Sequence, residues 1–117
     1  MALTNLDLSK FTPAERKAIY KKDETNLKRA CTILLKQYNG FSLPIPGGLG
    51  AVNGSPDRIC FYGGRAVAVE FKRPGQGLSP AQREMQANIL ACGCPYEVVT
   101  CENDFIRAMR LPIKKLF

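Results

Sequence analysis

At 117 residues the chain has room for a sheet covered by a few helices and not for a second catalytic domain. Hydrophobic residues make up 45% and charged residues 23%, which excludes disorder as the default reading. No apolar run approaches the roughly eighteen residues of a membrane span, and the formal charge of +7 favours a polyanionic partner, nucleic acid before an anionic membrane surface.

The opening Met-Ala-Leu-Thr-Asn-Leu-Asp lacks the basic region and apolar core of a secretory signal, so a cytoplasmic location is expected. Five cysteines and no histidine in such a setting argue against structural disulfides. A zinc site at Cys92, Cys94 and Cys101 lacks a fourth ligand and the usual Cys-x₂-Cys spacing. Buried free thiols are expected instead.

Thr12-Pro13-Ala14-Glu15 has the form of a capping box with proline at the first helical position, predicting a helix that ends near Tyr20 to Lys22. A second amphipathic helix is expected from Asp23, with Leu27, Cys31, Leu34 and Tyr38, flanked by Ala30 and Leu35, as its apolar stripe and Asn39-Gly40 as its stop. Glu24 falls in the first turn, where the helix dipole by itself favours an acid. Phe41 to Ile45 reads as a short strand. The glycine-rich stretch from Pro46 to Gly54 is either a connector or a loop that lies along bound substrate with its amides near phosphates, and it has no Gly-Lys-Ser/Thr of a P-loop.

Two strand-like runs follow, Arg58 to Tyr62 and Arg65 to Lys72, joined by Gly63-Gly64, a strong signal for a two-residue hairpin turn. Pairing Tyr62 with Arg65 sets Asp57 opposite Glu70, with β-carbons roughly 4.5 to 5.5 Å apart. Strand alternation puts Lys72 on the face of Glu70. Like charges directly opposed destabilise a sheet unless compensated. A divalent cation compensates them, and hard oxygen ligands suit Mg²⁺ or Mn²⁺; a solvated strand end with an ordinary Glu to Lys pair is the competing reading.

Gly75 to Gly77 breaks the strand. Ser79-Pro80-Ala81-Gln82 again has capping-box form, opening a helix to about Ala91 with Ala81, Met85, Ile89 and Cys92 as its buried stripe and a stop by Gly93. Gln82 at its third position is expected either to bond back to the Ser79 amide or to stand beside the carboxylates, not both. Tyr96 to Thr100 reads as a strand and Asn103 to Arg110 as a terminal helix, with Pro112, Lys114 and Lys115 in a tail. The expected fold class is α/β, a mixed sheet flanked by helices, with the Glu70 and Tyr96 strands parallel in a βαβ unit.

Gly54-Ser55-Pro56-Asp57, Gly64-Arg65, Val69-Glu70-Phe71-Lys72-Arg73-Pro74-Gly75 and Leu78-Ser79-Pro80-Ala81-Gln82, with Glu24 upstream and Gly93 downstream, resemble the VRR-NUC family of the PD-(D/E)XK nuclease superfamily. The resemblance runs from about Glu24 to Arg110. It implies a restriction-endonuclease-like αβββαβα core over residues 23–117, with residues 1–22 as an extra N-terminal helical extension. Implied roles are metal binding by Asp57, Glu70 and the Phe71 main-chain carbonyl, positioning of the attacking water by Lys72, an outer metal-associated role for Glu24, and a place beside the site for Gln82. Glu-Phe-Lys stands where Glu-Val-Lys or Glu-Ile-Lys is commoner, a change between the ligands that leaves their geometry intact.

The implied reaction is hydrolysis of a nucleic-acid phosphodiester with Mg²⁺ or Mn²⁺. Arg58, Arg73 and Arg83 are candidates for phosphate contacts, against a reading as plain solvated arginines. Small standalone phage and bacterial relatives look like homodimers that act on branched DNA such as four-way (Holliday) junctions, inside a bacterial or phage-infected cell. A nickase, a flap-directed nuclease and a noncatalytic nucleic-acid-binding module on the same scaffold are the competing functions.

Overall fold

The computed structural model describes residues 10–47 and 51–112. Most of the expected N-terminal extension before Thr12, two glycines of the loop before Asp57 (Gly48 and Gly50) and the Lys114-Lys115 tail lie outside the described residues.

The first helix, α1, spans Pro13–Gln37. Its capping box forms as expected: Thr12 Oγ1 accepts the Glu15 amide at 3.2 Å and Glu15 Oε1 accepts the Thr12 amide at 2.9 Å. The expected break at Tyr20 to Lys22 does not occur, and the two helices that the sequence predicts are one. Asp23 and Asn26 are weak helix formers that merely permit a start, whereas neither glycine nor proline interrupts residues 14–37, so the hydrogen-bond ladder continues through them. The stop falls where the sequence predicts it, with Asn39 at φ 65° in the left-handed conformation that ends helices.

Strands β1 (Phe41–Pro44), β2 (Arg58–Tyr62), β3 (Arg65–Phe71) and β4 (Tyr96–Val99), with helices α2 (Pro80–Ala91) and α3 (Glu102–Met109), complete an αβββαβα order. The sheet order is β1-β2-β3-β4; β1, β2 and β3 pair antiparallel, and β3 pairs parallel with β4. Strand β3 is therefore internal, and Val67 through Phe71 are all buried. A central strand covered on both faces reads as an unbroken apolar run. Glu70 is its exception.

On one face of the sheet Cys60, Val67, Val69, Phe71 and Val99 meet Leu27, Cys31 and Leu35 of α1 and Phe105, Ile106 and Met109 of α3. The Phe71 and Phe105 rings stack with centroids 6.3 Å apart. Helix α3 is fixed at its start by Asp104, which accepts both the amide and the hydroxyl of Thr100 at 2.9 and 2.7 Å. At the far end of the sheet Arg65 donates to the Ala108 carbonyl at 3.1 Å.

The other face is covered less completely. Helix α2 has no fully buried residue: Ala81, Met85 and Ile89 are half-buried and Cys92 is exposed, so the expected buried stripe is only partly realised. Beyond its cover, Phe41, Leu43 and Phe61 stand exposed on β1 and β2. The thiols divide similarly. Cys31 and Cys60 are buried as expected, while Cys92, Cys94 and Cys101 are exposed, because they fall in the turn and cap positions after α2 and before α3. No helix among the described residues is long and apolar enough to cross a membrane.

Removing the fully buried Phe105 ring should cost about 3–5 kcal/mol in Phe105→Ala. Ile33→Ala, at a position 53% exposed on α1, should change stability by no more than about 0.5 kcal/mol. Urea denaturation of the two variants checks both.

Candidate active site

The hairpin keeps the register that the sequence predicts, from Tyr62 opposite Arg65 to Arg58 opposite Val69. Gly63 and Gly64 take φ of 59° and 78°, the doubly left-handed turn that matches the twist of the flanking strands. The ladder stops at Arg58, so Asp57 lies one residue outside β2 rather than in a ladder pair with Glu70. Its main-chain carbonyl accepts the Ile45 amide from β1's side at 3.0 Å. Its carboxylate turns across the end of β3, where Oδ2 accepts the Phe71 amide at 2.8 Å. The expected opposition of two side chains is thus a clamp of one carboxylate on the backbone beside the other.

Glu70 and Lys72 are 4% and 8% exposed. Glu70 Oε2 faces Lys72 Nζ at 3.7 Å and accepts from Gln82 Nε2 at 3.1 Å. Gln82 fills both of the roles that the sequence presents as alternatives: its Oε1 accepts the Ser79 amide at 2.9 Å while Ser79 Oγ accepts the Gln82 amide at 3.2 Å. An amide has an acceptor and donors on different atoms, so capping the helix leaves its nitrogen free for Glu70. Glu70 Oε1 is buried and has no hydrogen-bond partner among the described residues.

Burial, with the neighbouring Asp57 charge second, pushes the Glu70 carboxyl up to about 7 against the opposing pull of Lys72 and Lys28. A buried carboxylate with one oxygen unpartnered and a second carboxylate beside it is a site that gains from a cation. The donors are hard oxygens. No three His, Cys, Asp or Glu side chains converge closely enough to hold a metal by themselves among the described residues. Two carboxylates suffice for Mg²⁺, which fills its remaining positions with water and phosphate oxygens; the residues present therefore fit such an ion.

Glu24 does not join the two carboxylates in a ligand cluster. It lines a small cleft with Asp23, Leu27, Lys72, Arg73, Pro74 and Thr100, on the Lys72 side of the site. From the same helix, one turn further, Lys28 reaches Asp57 Oδ1 at 3.4 Å. Nothing local singles out Lys28 among the scattered basic residues, although it lies four residues after Glu24 and so on the same helix face.

The three arginines are placed differently. Arg58 pairs with Val69, so alternation sends its side chain to the face opposite Glu70, where its Nε donates to Ser42 Oγ. Arg83 donates to the Leu78 carbonyl at 2.9 Å from an exposed position. Arg73 lines the Glu24 cleft.

Gly54, which the sequence marks only as part of the glycine-rich loop and of the Gly54-Ser55-Pro56-Asp57 stretch, has a packing role of its own. It has φ +81°, and a β-carbon there would stand 2.4 Å from the Ala81 carbonyl oxygen. The loop carrying Asp57 is thereby seated against the first turn of α2, which carries Gln82.

No protein-family model matches the chain, and no curated protein matches it. Among solved structures, a VRR_NUC domain superposes with a TM-score of 0.64 at 15% identity, covering 77% of this chain and 97% of that one. The chain has a VRR-NUC-like fold.

In chelator, the stability of the protein should fall as pH rises between about 4.5 and 7. Across that window the folded Glu70 carboxyl, raised to about 7, still holds the proton that the unfolded one, near 4.5, has lost. Stability from this group is thus full below 4.5 and lost through 7. The loss should amount to roughly 1–3 kcal/mol, and Glu70→Gln should remove that part of the slope in pH-dependent denaturant titrations. Gly54→Ala should cost roughly 1–3 kcal/mol, since it meets both the backbone conformation and the α2 carbonyl; thermal denaturation measures it.

Proposed function

We propose that this chain is a Mg²⁺- or Mn²⁺-dependent, structure-selective DNA endonuclease that hydrolyses phosphodiester bonds, acting on branched DNA such as four-way junctions. The observation that carries the reading is Glu70: a carboxylate on an internal strand, nearly inaccessible, with Oε1 unpartnered and Asp57 beside it. A purely structural position would gain from an apolar residue there. The VRR-NUC-like fold and the net charge of +7 support nucleic acid as the polyanion addressed.

In this reading Asp57, Glu70 and the main-chain carbonyl of Phe71 hold the cation. Bound there, it supplies Lewis-acid polarisation of a phosphoryl oxygen and acidifies water. Each protein group has its own task. Gln82 and Lys72 fix Oε2 of Glu70, and the Lys72 ammonium orients the attacking water and balances the phosphate charge. Lys28, paired with Asp57 Oδ1, holds that carboxylate's charge until a cation competes for it. Glu24, across Lys72 in the shared cleft, acts in the outer surroundings of the metal. Hydrolysis joins the water oxygen to phosphorus as the bond to one ester oxygen breaks, and that oxygen leaves with a proton, so one strand end carries a phosphate monoester and the other a hydroxyl.

Arg73 and Arg83 are the better-placed phosphate contacts, since Arg58 projects to the other face. A homodimer is supported by the exposed Phe41, Leu43 and Phe61, whose two phenyl rings lie 6.0 Å apart in an apolar strip at the β1 edge. Two sites in one dimer account for paired cuts on a branched substrate. Residues 23–117 are the proposed nuclease domain and residues 1–22 its N-terminal extension, and the cytoplasm of a bacterial or phage-infected cell is its proposed place of action.

Labelled four-way junction, flap, single strand and duplex, each with Mg²⁺, Mn²⁺ or chelator, test the reading. Cleavage should need the metal and favour the junction, and Asp57→Ala, Glu70→Ala and Lys72→Ala should each lower it at least about a hundredfold with the fold retained by circular dichroism. Undiminished cutting by a folded Asp57→Ala protein would overturn the site. Strand mapping separates paired cuts from nicking or flap removal. Salt-sensitive binding without cleavage of any form identifies a noncatalytic binding module.

A further inference from the structure

The described residues contain a second buried polar atom without a partner, the hydroxyl of Tyr96. Tyr96 opens β4 and is 6% exposed. In the parallel ladder it stands beside Ala68, as Val98 stands beside Glu70. Ala68 and Glu70 share a face, so the side chains of Tyr96 and Glu70 leave the sheet on the same side as diagonal neighbours, a spacing that an aromatic and a long side chain can bridge. Their proximity is also electrostatic. After burial itself, the charges of Glu70 and then Asp57 help push the Tyr96 phenol up to about 12.

Orphaned buried polar atoms are rare, and two of them on one face of one strand pair call for a common cause. A phenylalanine would bury the same ring with no hydroxyl to satisfy. A buried water needs two or more polar partners; one placed between these groups would accept from the Tyr96 O–H and donate to Glu70 Oε1. Oε1 keeps a second lone pair for a cation.

We propose that Tyr96 is a positioning residue for Glu70: through one buried water its hydroxyl holds the Oε1 side of the carboxylate, fixing the orientation in which Glu70 and Asp57 receive the cation. Glu70 is then gripped from three elements, by Gln82 of α2, by Lys72 just after β3 and by Tyr96 of β4. This inference rests on the reading of the site as cation-binding. Partners that orient a metal-binding carboxylate commonly alter affinity about tenfold to a hundredfold when removed.

The test is calorimetric titration of the full chain with Mn²⁺ in the absence of DNA, for the wild type and Tyr96→Phe, with melting temperatures recorded in chelator. Tyr96→Phe should fold, bind Mn²⁺ about tenfold or more weakly, and melt no higher than the wild type. Equal Mn²⁺ affinity in the two proteins overturns the role of Tyr96 and leaves the cation site standing. A higher melting temperature together with unchanged affinity also overturns it, marking the hydroxyl as an unpaired burden. No Mn²⁺ binding by the wild type, together with no metal-dependent cleavage, overturns both this inference and the reading beneath it.

Discussion

Glu70 is a carboxylate held on the internal strand of a four-stranded sheet, and the arrangement around it follows from the need to satisfy it. One oxygen is met by an ammonium at 3.7 Å and an amide at 3.1 Å; the other is met by nothing among the described residues. Burial and the adjacent Asp57 both oppose ionisation. Such a group is costly to keep in a fold unless its charged form is used. Its neighbours read as devices that hold it still without neutralising it completely.

Those devices come from parts of the chain far apart in sequence. Helix α2 does little for the core, having no fully buried residue, yet its first turn delivers Gln82 to Glu70 and receives the Gly54 backbone so closely that a β-carbon there would stand 2.4 Å from the Ala81 carbonyl oxygen. One capping motif therefore starts a helix, orients a carboxylate and seats the loop that carries Asp57. On the other side α1 brings Lys28 to Asp57 and Glu24 to the cleft beside Lys72. The apolar stripe of α1 and the stacked Phe71 and Phe105 rings anchor this end of the sheet from the opposite face. Phe71 serves both sides, its ring in the core and its amide on Asp57.

The open part of the Glu70 face has a different character. Phe41, Leu43 and Phe61 are exposed there, where α2 does not reach. The sheet thus carries a polar, charge-bearing end and an apolar edge on the same face. In the proposed function, chemistry and association are separated along it.

Much of this is legible in the residues themselves. The hairpin register follows from Gly63-Gly64, because a two-residue turn leaves one way to pair the strands, and counting outward from it brings Asp57, Glu70 and Lys72 together. Helix starts at Thr12 and Ser79 are equally plain, since capping is local hydrogen bonding. What the sequence leaves open or misdirects is cooperative or distant. Asp23 marks a helix start only in isolation, and the ladder of α1 runs through it. Gln82 looks like a residue with one role to fill because position along a helix does not reveal which strand passes its first turn. Lys28 and Tyr96 carry no local signal, and Gly54 is marked only as part of the stretch leading to Asp57, since the neighbours of all three lie far along the chain. Which groups can form a cation site, and on which strand face they lie, follow from the residues alone, because turn length and side-chain alternation are properties of the chain. How Glu70 is buried, which of its oxygens is left unpartnered and which elements hold it emerge only with the fold, because burial and hydrogen bonding are set by packing between elements that the chain order does not fix.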